Sequence, residues 1–131
     1  MSNVENAAHI ELNVPAQERM MMCVRLTTSG VLARTDLTLD ALEDTRLAVE
    51  EACNCLMQFS GCDTLNVCYD LEKGRVAVNV RAKDRCHAKD APNEDELYTI
   101  RCILLSMVDE VQLSGQSDGI TDIQLIKWLS L

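Results

Sequence analysis

Arg46-Leu47-Ala48-Val49-Glu50-Glu51-Ala52-Cys53-Asn54-Cys55-Leu56-Met57-Gln58 is the centre of the strongest helical pattern in the chain. Leu42, Val49, Ala52, Cys53 and Leu56 recur at the spacing that keeps one helix face buried. The pattern predicts a helix over 36–61. Asp40 is placed to cap it, Glu43 three residues on completes a capping box, and Ser60-Gly61 stops it. Glu50 and Glu51 flank the stripe, where charged pairs usually meet water.

Upstream, residues 9–14 (HIELNV) alternate apolar and polar, the pattern of a half-buried strand. Pro15 suits the first turn of a following helix. Met20, Cys23, Val24, Thr27 and Val31 mark one face of that helix, predicted over 15–33. The Met20–Met22 run reads as core and flank, since methionine fills irregular apolar gaps.

Downstream, strands are predicted over 64–71 and 75–81, joined by a tight turn at Glu72-Lys73-Gly74. Residues 82–93 are polar without an apolar period and read as a loop; its start carries a local basic run of Arg81, Lys83, Arg85, His87 and Lys89. Asn93 and Glu96 form a second capping box, opening a helix over 94–107 marked by Leu97, Ile100 and Leu104. Strands over 109–114 and 120–129 close the pattern. The order predicts an α+β fold: a two-layer sandwich of a mostly antiparallel sheet with helices on one face. Its 131 residues suit one domain, 1–131.

Hydrophobic residues make up 47% and aromatic residues only 3%, so the core is aliphatic. Twelve basic residues against twenty-one acidic ones leave a net charge of −9. That charge disfavours binding to a phosphate backbone or an anionic membrane, so neither nucleic acid nor membrane is expected as a partner. No apolar run spans a bilayer and no signal-peptide pattern opens the chain, so a cytoplasmic protein is expected. The seven cysteines are odd in number and mostly lie in apolar stretches, as buried thiols in a reducing compartment do. None has zinc-knuckle spacing. Cys53 and Cys55 point about 200° apart on a helix, and Cys86-His87 stands alone.

The segment RLAVEEACNCLMQ (46–58) resembles the N-box helix of the histidine-kinase/gyrase-type ATPase fold. It is most similar to that of the small anti-sigma-factor serine kinases, which reads close to LAVSEAVTNAxxH. The segment LYTIRCILLSMVDEVQLSGQSDGITDIQLIKWL (97–129) is similar to the same family's last helix and two strands, with Val108-Asp109-Glu110-Val111 and Lys127-Trp128-Leu129 in register. The element order fits from residue 8 onward.

The resemblance implies a set of site positions. Glu51 falls on the carboxylate that serves as general base toward a substrate hydroxyl. The asparagine that holds magnesium, one helical turn on, is replaced by Cys55, with Asn54 one residue early. A thiol is a poor ligand for magnesium. In the D-x-G-x-G loop that cradles the nucleotide, the aspartate position falls on Ala82 and the two glycine positions on Asp84 and Cys86. The lid glycine before the last helix is also missing.

The function implied by the resemblance is that of an anti-sigma-factor-like regulator, acting by protein–protein binding with a degenerate nucleotide site and no bound cofactor. The implied partners are a sigma factor or an anti-sigma antagonist, with a homodimer also implied. Arg19, Arg25 and Met20–Met22 are candidate contacts. The alternative is an active ATP-dependent serine/threonine kinase using Mg-ATP to phosphorylate an antagonist protein.

Overall fold

A computed structural model of the chain describes residues 7–85, 90–116 and 119–129. The predicted alternation holds in β1 (Ala8–Pro15): Ile10, Leu12 and Val14 pack toward the core, and His9, Glu11 and Asn13 stay outside. Pro15 does not open a helix. It ends β1, paired with Thr64, and the next residue, Ala16, donates its N–H to Asp63 at 2.9 Å. β1 is an edge strand, where a proline without an N–H is tolerated. A short 3-10 turn (Glu18–Met20) then leads into α1 (Met21–Leu32).

The long helix, α2 (Leu39–Phe59), is capped by Thr38 rather than Asp40. The Thr38 hydroxyl accepts the Ala41 N–H at 3.1 Å, which places Asp40 inside the first turn. Glu43 closes no capping box and instead holds Arg46 at 2.6 Å. Gly61, at φ 67°, takes the left-handed conformation that ends the helix.

β2 (Cys62–Glu72) and β3 (Arg75–Arg85) form the central hairpin. Its turn needs Gly74, at φ 85°. β3 runs four residues beyond the predicted strand, because β2 begins at Cys62 and offers ladder partners to Ala82, Lys83 and Arg85. The segment expected as a loop from residue 82 therefore starts as strand; backbone pairing overrides its polar composition.

The predicted capping box opens α3 (Glu94–Leu105), with Asn93 and Glu96 exchanging side-chain and backbone bonds. That helix ends two residues early, but Val108 still reaches the core. β4 (Glu110–Gln116) and β5 (Gly119–Trp128) complete an antiparallel sheet of order β1-β2-β3-β5-β4.

One aliphatic core joins the layers. α2 packs on β2, β3 and β5, α1 on α2 and β1, and α3 on β4 and α2. The strands supply Leu65, Val67 and Tyr69, then Val76, Val78 and Val80, then Ile123 and Leu125. The opposite face carries Asn79, Arg81, Gln112, Asp122 and Gln124 and is polar. Cys53, Cys55, Cys62 and Cys68 are free and buried, whereas Cys23 and Cys102 are exposed. Among the described residues no helix is long and apolar enough to cross a membrane.

Candidate functional site

α2 presents Glu51, the residue expected at the acidic position, beside the core stripe. Glu51 is half-buried and has no ion pair or side-chain hydrogen bond among the described residues. Its neighbour Glu50 behaves differently. Glu50 Oε1 accepts from Arg25 Nε at 2.9 Å, and Glu50 Oε2 from Arg46 Nη1 at 2.7 Å. Arg46 reaches on to Glu43, and its bond to that carboxylate, despite partial burial, raises its pKa. The adjacent carboxylates thus divide: Glu50 ties α1 to α2, and Glu51 is left uncommitted. The Arg46–Glu50 spacing of one helical turn is a signal the sequence carries; the Arg25 partnership crosses two helices and leaves none.

One turn beyond Glu51, Cys55 is 4% exposed. Burial and the Glu51 carboxylate push its thiol up to about 12, so at neutral pH the sulfur stays protonated. A buried neutral thiol offers magnesium neither a hard oxygen nor a charge. Asn54 is exposed, round the helix from Glu51. The helix therefore brings Glu51 and Cys55 together and leaves Asn54 outside.

At the end of β3, Ala82 pairs with Leu65 and packs against the core in line with Val76, Val78 and Val80. A methyl group stands there with nothing to accept an adenine amino proton. Asp84 is exposed, with φ 54°. This left-handed conformation is the one glycine adopts freely, and among other residues Asp and Asn adopt it most readily. Asp84, expected at the first glycine position, thus holds a backbone conformation that glycine adopts without strain. Cys86, His87 and Lys89 lie outside the described residues.

Arg85 folds back from the end of β3, and its Nε donates to the Ser60 carbonyl at 2.9 Å. A cation at the last carbonyls of α2 complements the helix dipole. Nothing in the basic run 81–89 singles Arg85 out for this; the contact exists only once β3 is paired to its end. Beside it, the hollow between α2 and α3 holds about 290 Å³ and is lined by Gln58, Phe59, Asp95, Glu96, Thr99 and Ile100. Two carboxylates at its wall repel a polyphosphate.

The methionine run splits. Met21 is buried and Met22 is 54% exposed, one turn from Leu26 at 64%. Arg19 bonds Gln17 at 2.7 Å, and Arg25 is taken up by Glu50.

No family model matches the chain. The serine-protein kinase RsbW of Bacillus subtilis is 47% identical over 53 residues, covering 40% of this chain and 33% of that protein. The anti-sigma-F factor RsbW of Mycobacterium tuberculosis is 32% identical over 104 residues, covering 79% of this chain and 60% of that protein. The Staphylococcus epidermidis RsbW kinase is 24% identical, covering 92% of this chain and 87% of that protein. The chain spans about a third to a little over half of the length of several RsbW kinases of Bacillus and Halalkalibacterium that it matches. A crystal structure of the RsbU and RsbW domains of a Mycobacterium tuberculosis protein superposes with a TM-score of 0.70 at 14% identity, over 92% of this chain and 32% of that one. That likeness carries the fold, and the sequence matches carry the lineage: the chain belongs to the anti-sigma-factor serine-kinase family.

Proposed function

We propose that this protein is an anti-sigma-type regulator that works by docking to a protein partner, without hydrolysing ATP. The observation that carries this reading is the Glu51–Cys55 pair. The acidic position is kept, and the position expected to hold magnesium is a buried, protonated thiol. Ala82 in place of an adenine acceptor and the carboxylates of Asp95 and Glu96 beside α2 support it. The rival reading, an active Mg-ATP-dependent serine kinase, rests on Glu51 and on the glycine-like backbone at Asp84.

The docking partner is a sigma factor or an antagonist of the anti-sigma type; the first accords with the name of the Mycobacterium tuberculosis anti-sigma-F factor, and a net charge of −9 favours a basic one. The docking face is α1, where Met22 and Leu26 stand exposed at helical spacing and Arg19 lies nearby. Arg25 drops out as a free contact because Glu50 holds it.

Calorimetric titration with Mg-ATP tests the nucleotide part. Each lost polar contact costs about 1–3 kcal/mol and 1.4 kcal/mol is tenfold, so affinity in the millimolar range or weaker is expected. Micromolar binding overturns the reading in favour of the kinase. The double change Met22→Glu and Leu26→Glu tests the face: capture of a sigma factor should be lost with the thermal midpoint preserved.

A further inference from the structure

We propose that His9, Glu11 and Cys68 form a zinc site on the outer face of the β1–β2 ladder, with Asp70 orienting the histidine. One ligand atom from each of the three lies within 4.8 Å of the others. The ladder sets this up, since Glu11 stands opposite Cys68 and His9 opposite Asp70. Strand alternation puts all four side chains on the face away from the helices.

The surroundings are arranged as a ligand set needs. His9 Nδ1 lies 2.6 Å from Asp70 Oδ1. With its proton on Nδ1, the ring leaves the Nε2 lone pair free, 4.0 Å from Glu11 Oε2. A carboxylate on the far nitrogen is the usual second partner of a metal-binding histidine, fixing both tautomer and ring orientation. Asn66, 1% exposed, organises the other two ligands. Its Nδ2 donates to Glu11 Oε1 at 2.6 Å and to Asn13 Oδ1 at 2.8 Å, and its Oδ1 accepts the Cys68 thiol at 3.3 Å.

Bond lengths of about 2.0–2.3 Å around a tetrahedral zinc require ligand atoms about 3.3–3.8 Å apart. Exposed His9 and Glu11 can close that gap by side-chain rotation alone. Nitrogen, oxygen and sulfur donors together select zinc over magnesium or calcium. Cys68 releases its thiol proton to water on binding. Arg81 and Lys83 oppose the ion's charge and Glu11 and Asp70 favour it, while Arg81 is itself paired with Asp122 at 3.2 Å. Three protein ligands leave the fourth position to water. Cys68 lies more than fifty residues beyond His9 and Glu11 in sequence, which is why no linear spacing announces the set.

The test uses the untagged, reduced full chain stripped of metal, with cobalt(II) as the spectroscopic probe and zinc(II) as competitor. One equivalent of cobalt should raise a thiolate-to-metal charge-transfer band, and one equivalent of zinc should discharge it. Cys68→Ser and His9→Ala should each abolish the band, and Asp70→Asn should weaken binding by about 10–100-fold. The double change Cys23→Ser and Cys102→Ser should leave it unchanged. His9 is exposed, so its variant keeps the fold and decides the matter even if Cys68→Ser does not fold. No band, or a band that survives His9→Ala, overturns the proposal; survival would place the metal adventitiously on other thiols.

Discussion

The Tyr69 phenol and the Thr28 hydroxyl meet 2.7 Å apart inside the apolar core, joining β2 to α1. Both residues are fully buried, so each is the other's means of satisfying a polar group without water. Thr28→Val keeps the shape and orphans the phenol, and should lower stability by about 1–3 kcal/mol. Replacing both, as Thr28→Val with Tyr69→Phe, should recover part of that loss. Urea denaturation of the two variants checks it.

Alkaline pH should unfold the protein earlier than its amino-acid content suggests. Burial pushes Cys53 and Cys55 up from 9.0 to about 12, and Tyr69 from 10.0 to about 12. Between these values the unfolded chain has released protons that the folded chain retains, so stability falls as pH rises. The contribution is intact below pH 9 and lost progressively up to about 12. Thermal midpoints at rising pH should show this, and Cys53→Ala should flatten the decline while lowering the midpoint at neutral pH.

Glu50 and Glu51 should separate cleanly on substitution. Glu50→Ala strips Arg25 and part of Arg46 of their partner in a setting where both Glu50 and Arg46 are mostly covered. A loss of about 1–2 kcal/mol is expected, above the usual range for exposed pairs. Glu51→Ala breaks no described contact and should stay within about 0.5 kcal/mol of the parent. Equal effects at the two positions would contradict the division of roles described for them.

At Asp84 the left-handed backbone predicts a ranking. Asp84→Gly should be neutral within about 0.5 kcal/mol, because relief of strain offsets the added freedom of the unfolded chain. Asp84→Val should cost more than about 1 kcal/mol, since a β-branched residue resists φ 54°. Chemical denaturation of the three proteins compares them.

Much of the architecture is legible in the chain because its helices and hairpin announce themselves locally. The stripe of α2, the capping box at Asn93 and Glu96, and the turn at Gly74 are all short-range patterns that the fold keeps. Asp40 misleads because Thr38 has the same capping chemistry two residues earlier and is the one that meets Ala41. Pro15 misleads because a residue fit for a helix start is equally fit for an edge strand. The extension of β3 over Ala82 to Arg85 depends on where β2 begins, which no local pattern states. The candidate site divides in the same way. Glu51 and Cys55 can be placed together by helical spacing, whereas the ties of Arg85 to Ser60 and of Arg25 to Glu50 need the assembled fold.

The sheet order has a bearing on how the chain is made. β3 receives β2 as its first neighbour at once, through a two-residue turn, but its other neighbour is β5, which comes only after α3 and β4. On the ribosome, a valine-rich strand therefore waits with one ladder open while more than thirty further residues are added. Such an unpaired apolar edge is a template for wrong pairing. The rate-limiting event in folding should be the closure of β5 onto β3, a long-range step that local helix formation cannot hasten. Slowing translation after α3, or lowering the temperature of synthesis, should then change the soluble yield more than any single surface substitution does.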